Sequence, residues 1–173
     1  MDILEQRSEW YEQFKAGWLA HYQSTGSIDW SLYNRPDNKT EVGGKGIDLS
    51  QSRLLFISSA GGYLPATQQP FDAEHDVGDY SIRTIPSDSK LDTIDYAHTH
   101  YDHTSRIADP QVLMPLEHLA DLVDAGEIGE LTPNMINFMG YQPDLSQLLD
   151  ETIPAIIEVA KAEEADGALL VPA

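Results

Sequence analysis

Chemistry is densest in the run Asp95–Tyr96–Ala97–His98–Thr99–His100–Tyr101–Asp102–His103–Thr104, where three of the chain's six histidines fall within six residues. In an extended segment His98 and His100 point to one face, so the two imidazoles could share a divalent metal ion. His103 and Asp102 would then complete a nitrogen–oxygen shell suited to zinc, iron or manganese. The spacing matches no strong metal signature such as a helical H-E-x-x-H. An imidazole also titrates near neutral pH, which suits general acid/base work oriented by Asp95 or Asp102. A third reading is structural: a polar loop whose histidines cap backbone groups or pack on Tyr101.

Three further places could bind a small molecule. Ser58–Ser59–Ala60–Gly61–Gly62 follows an apolar run, and free amides and hydroxyls there could cradle a carboxylate or phosphate. The segment lacks the full dinucleotide and P-loop patterns, so a plain turn is the competing reading. Arg83 lies between Ile82 and Ile85, and a buried guanidinium needs an anion: a substrate carboxylate, or Asp79 or Asp88 in an internal ion pair. Asn137 stands between Ile136 and Phe138 near the end of another apolar run, where it could line the same crevice. Met135 and Met139 read as core.

The elements that would position these residues alternate. Arg53–Ser58 reads as a buried parallel strand, Ser81–Pro86 as a half-buried one, and Thr93–His98 as a weaker one. Leu113–Glu117 opens a helix reaching about Asp124, with Gly126 as its stop. Asn134–Met139 is the next strand. Asp144 or Ser146 can cap a long helix to about Glu164, with a kink or break at Pro154. Ala168–Val171 is the last strand. The order implies an α/β fold: a mainly parallel sheet with right-handed β-α-β crossovers, Rossmann- or flavodoxin-like, over residues 51–173. Ahead of it, Ile3, Leu4, Trp10, Tyr11, Phe14, Trp18 and Leu19 mark an amphipathic helix over 2–23. Residues 27–50 form a linker or a packed arm, and Trp30 and Tyr33 favour the arm.

Composition narrows the function classes. Ten Lys and Arg against 29 Asp and Glu give a net charge of −19, a surface that repels phosphate backbones and anionic lipid. From Ile107 onward there are 13 carboxylates and one base, Lys161, which reads as a solubility device or as a surface for a basic partner. With no cysteine, disulfides, thiolate metal sites and thiol catalysis within these residues are excluded. No apolar run is long enough for a membrane span and Met1–Glu5 lacks signal-peptide character, so a cytoplasmic protein is expected.

Several segments in order carry a resemblance. They are Ser59–Gly62, Gln69–Asp72, Gly78–Pro86, His98–His103, Met114–Leu116, Gly126–Gly129, Asn137–Tyr141 and Asp166–Val171. Together they resemble the selenoprotein B family of glycine, sarcosine, betaine and D-proline reductases. The resemblance implies an amino-acid-like substrate, cleaved reductively by a selenol or thiol, with electrons from a thioredoxin-like donor. It also implies a pyruvoyl-bearing partner subunit that activates the substrate amine. In that family the reactive residue follows the strand matching Ala168–Val171, which would put it just past Ala173. Either a selenocysteine codon was read as a stop or the chain was cut, or the domain stands alone and its nucleophile is lost or comes from another chain. On this reading Arg83 and the Ser59–Gly62 loop hold the substrate carboxylate, and the histidines supply acid/base or orienting groups. An exposed sheet edge in such a domain predicts self-association into a homo-oligomer.

Overall fold

The computed structural model describes residues 4–40 and 46–173. The chain forms two compact units: Met1–Gly46 with Asp144–Gln147, and Ile47–Pro143 with Leu148–Ala173. Ile3 of the expected first helix and Gly43–Lys45 of the expected linker lie outside the described residues.

In the first unit, α-helical Arg7–Phe14 and Ala20–Thr25 are joined by π-helical Lys15–Leu19. Aromatic residues at four-residue steps explain why this segment is helical. Trp10, Phe14, Trp18 and Tyr22 stack in succession, with ring centroids 5.2, 5.4 and 5.8 Å apart. Tyr33 meets Phe14 and Trp18 edge-on, and Trp10 Nε1 donates to the Asn34 carbonyl at 2.9 Å. The expected arm therefore packs on its own helix through Tyr33 and Asn34, while Trp30 is exposed. Asp144 in this unit caps the turn Leu145–Gln147, accepting from the Ser146 amide at 3.0 Å.

The second unit is built on a mixed, mostly parallel five-stranded sheet. Its strands are β1 (Arg53–Ser58), β3 (Ile82–Pro86), β5 (Glu130–Leu131), β6 (Asn134–Phe138) and β7 (Gly167–Val171). Strand β1 is central. One edge pairs in parallel with β5 and then β6, and the other pairs with β7 from Leu54↔Gly167 to Ser58↔Val171. Strand β3 flanks β6 and runs antiparallel to it, a direction that the apolar pattern of Ser81–Pro86 does not encode. Strands β2 (Gly62–Tyr63) and β4 (Asp95–Tyr96) form a separate antiparallel ribbon, so the expected strand Thr93–His98 contracts to two residues.

The apolar run Leu54–Leu55–Phe56–Ile57 buries both of its faces, as a central parallel strand must. Leu54 and Phe56 join Ile85 and Met135 beneath Leu116 and Leu119 of the helix Leu116–Asp124. Leu55, Ile57 and Ile136 meet Ile156 and Val159 of the helix Ile153–Ala162 on the other face. Each such fully buried aliphatic side chain contributes roughly 1.5–3 kcal/mol. Helical backbone runs on through Thr152 (φ −63°, ψ −49°), and Pro154 lies where the π-helical stretch Leu148–Thr152 gives way to the α-helix Ile153–Ala162, so the regular α-helix is interrupted beside the proline.

Candidate functional site at the carboxyl end of the sheet

Where β1 ends, the loop Ser58–Gly62 is fastened on three sides. The Ser59 amide donates to Val171 at 3.2 Å, the Gly61 amide to Phe138 at 3.0 Å, and the Gly140 amide to the Ser59 carbonyl at 3.0 Å. Ser58 Oγ donates to the Leu113 carbonyl at 3.0 Å, and Ser59 Oγ accepts from the Ala173 amide at 2.9 Å. The segment is thus a junction of β1, β6 and β7. Its glycines are required: Gly61 has φ +70°, and a Cβ there would lie 3.0 Å from the Cβ of His98.

Asn137 is fully buried, opposite Ser58 on β1 and Arg83 on β3. Neither its Nδ2 nor its Oδ1 has a hydrogen-bond partner among the described residues. A Cβ on Gly62 would stand 2.7 Å from that Oδ1, so the glycine gives the amide its room. Tyr96 pairs with Gly62 across the ribbon, and its hydroxyl is likewise buried and unpartnered. Directly opposed residues of an antiparallel pair share a face, which puts Tyr96 on the side of Gly62 that meets Asn137. Burial pushes the Tyr96 hydroxyl up to about 12, with Asp95 and Tyr101 adding to the rise and Arg106 opposing it. It therefore stays a proton donor at neutral pH. An amide offering donors and an acceptor suits a ligand group with both characters, such as a carboxylate next to a protonated amine.

The histidine segment is stitched to this loop through the main chain, the Ala97 amide donating to Gly61 at 3.0 Å. His98 is buried, and its Nδ1 accepts from the His100 amide at 3.1 Å. That bond puts the proton of the neutral ring on Nε2, making it a donor. Burial, reinforced by His100 and His103, lowers His98 to about 4. His103 donates from Nε2 to the His98 carbonyl at 2.6 Å, while its Nδ1 accepts from Arg106 Nε at 3.1 Å. His100 lies flat on Tyr141, centroids 3.8 Å apart.

Those bonds bear on the metal expectation. His103 has no ring nitrogen left for a cation, and Asp102 accepts from the Thr104 amide and hydroxyl at 2.9 and 2.7 Å. No group of three His, Cys, Asp or Glu that could hold a metal ion occurs among the described residues. His98, His100 and His103 do not fit a shared ion in this arrangement. Neither expected carboxylate orients an imidazole, since Asp95 receives Tyr63 Oη and the Tyr96 amide. That task falls to Arg106, which also covers the Tyr96 ring at 4.4 Å. The sequence signal for it was the three-residue step from His103 within a helical turn.

Arg83 is turned to a loop. Its Nε donates to the Gln69 carbonyl at 3.0 Å and its Nη2 to Pro70 at 3.3 Å, and the guanidinium lies 4.2 Å from the Phe71 ring centroid. Nη1 donates to Ser81 Oγ at 2.7 Å, and Ser81 in turn bonds Asp79. The expected contact with Asp79 is therefore relayed through Ser81.

No protein-family model and no solved structure matches the chain. Among curated proteins it is similar to D-proline reductase subunit gamma of Acetoanaerobium sticklandii, 29% identical over 123 residues. The similarity to that subunit is distant. The match takes in 71% of this chain and 49% of the relative, so the chain spans about half the relative's length. No described helix is long and apolar enough to cross a membrane.

Proposed function

We propose that this chain is the substrate-holding part of a reductase related to the D-proline reductase gamma subunit, binding an amino-acid-like molecule for reductive cleavage. The observation that carries the reading is the buried, unpartnered amide of Asn137, kept clear by Gly62 at the carboxyl ends of β1 and β6. Ligands favour that end of parallel strands. Buried polar groups are rarely left without partners, so a ligand that satisfies the amide recovers a desolvation cost of about 1–3 kcal/mol. Neutral His98 and Tyr96 contribute hydrogen-bond donors rather than charges. Arg83 contributes by holding the Gln69–Phe71 loop.

Reductive cleavage breaks a carbon–nitrogen bond at the cost of two electrons, which a dithiol supplies in becoming a disulfide. These residues contain no cysteine, so the reading requires the selenol or thiol to come from elsewhere. The bond from the Ala173 amide to Ser59 Oγ supports a nucleophile arriving by way of the end of β7, where the family resemblance expects it. Titration of the ¹⁵N-labelled chain with D-proline, with L-proline and glycine as comparators, tests the reading. Saturable shifts at Ser59–Gly62 and Asn137–Gly140 are expected. Their absence for all three amino acids, or shifts confined to other regions, would refute it.

A further inference from the structure

At the opposite end of the sheet a groove runs along the helix Leu116–Asp124. Its wall is the turn after β3, anchored where the Ser87 amide and hydroxyl donate to Pro133 and Thr132 at the entry to β6. A space of about 760 Å³ lies between Ser87–Asp92, Pro110 and the helix residues Leu116, Glu117 and Ala120. A second of about 470 Å³ shares Ser87, Asp88 and Ala120 and continues to Val123, Leu131 and Pro133. The floor is apolar, formed by Leu91, Leu116, Ala120, Val123 and Leu131. Four carboxylates line the two spaces, Asp88, Asp92, Glu117 and Asp124, against one cation, Lys90.

We propose that this groove docks an amphipathic, lysine- or arginine-bearing segment of a partner protein. Charge decides the sign of the occupant, since the rim repels acidic segments and attracts basic ones. The floor decides its class, because a small cation would leave the apolar side chains in water whereas an amphipathic segment covers them. Spacing refines it. Glu117 and Asp124 are seven residues apart on one helix face, about 10 Å along the axis, which matches basic side chains two turns apart on a docked helix. A relative that is itself a subunit is consistent with a partner chain. The groove lies away from Asn137, so this proposal does not depend on the substrate reading.

The test titrates the ¹⁵N-labelled full chain with a short helical peptide carrying leucine on one face and lysine two turns apart on its flank. A glutamate-for-lysine peptide and spermidine serve as comparators. Saturable shifts on Ser87–Asp92 and Leu116–Asp124 are expected from the lysine peptide alone. The variant Asp88→Asn/Asp92→Asn/Glu117→Gln should weaken binding by about tenfold or more. Glu74→Gln/Glu151→Gln/Glu158→Gln, with the same change in net charge on exposed positions elsewhere, should leave it unchanged. Equal weakening in both variants, shifts scattered over the surface, or the same shifts from spermidine would overturn the proposal by reducing it to counterion attraction.

Discussion

The amide of Asn137 and the α-carbon of Gly62 occupy one space that tolerates no methyl group, with Oδ1 2.7 Å from where a Cβ would stand. An amide held so tightly, and satisfied by nothing among the described residues, sacrifices stability. Asn137→Leu should therefore raise unfolding stability by about 1–3 kcal/mol while abolishing any shift produced by D-proline. Gly62→Ala should do the reverse to stability, lowering it by about 1–3 kcal/mol through overpacking. Urea unfolding of both variants measures the pair, and a loss of stability in Asn137→Leu would show that the amide is satisfied after all.

His98 should make the protein acid-sensitive in a definite window. Its folded value of about 4 lies below the ordinary 6.5. Between these values the unfolded chain takes up a proton that the folded chain refuses. The contribution is complete above pH 6.5 and is lost as pH falls towards 4. Its size is about 3 kcal/mol at most. His98→Asn should lose correspondingly less stability than the parent between pH 7 and pH 4.5, which denaturation at a series of pH values reads out.

Arg83→Lys separates a loop brace from a substrate anchor. Lysine keeps the charge but cannot bond the Gln69 and Pro70 carbonyls while lying over Phe71. A loss of about 1–2 kcal/mol is expected, with faster amide exchange around Gln69–Phe71 and an unchanged ligand affinity. Weaker ligand binding at unchanged stability would restore Arg83 to the role of anchor.

Strand β7 carries the expectation of self-association. Leu169 and Leu170, on opposite faces of the strand, remain 36% and 57% exposed. Strands with bare apolar edges pair with other chains, and lysine blocks such pairing. Leu170→Lys should reduce concentration-dependent association in sedimentation velocity. A strict monomer in the parent at every concentration would remove the premise.

Much of the scaffold was legible because its signals are local. The run Leu54–Ile57 needs burial on both faces, and Gly126 stops the helix that Leu116 begins. Direction was not legible, since whether β3 lies parallel or antiparallel depends on a partner about fifty residues away in sequence. Beyond the end of β1, Gly61 meets His98 and Gly62 meets Asn137. The partners of Arg83 and the histidines were not legible, because a sequence displays donors and acceptors but not which are already engaged. The Ser81 relay and the Arg106 bond to His103 become visible only in three dimensions. Tyr96 was passed over because its importance lies in facing a glycine.

The ribbon of β2 and β4 carries a consequence for how this molecule can change over generations. His98 is brought to the loop by the Gly62–Tyr96 pairing and the Ala97 amide, bonds that any non-proline residue can make. Positions such as Tyr63 and Asp95 can therefore drift without displacing the imidazole. Gly61 and Gly62, where a Cβ would meet His98 and Asn137, are the positions where substitution should be least tolerated. Diverging copies of this domain would keep an invariant framework while the rim around it is rewritten, a route to new ligands that leaves the fold untouched.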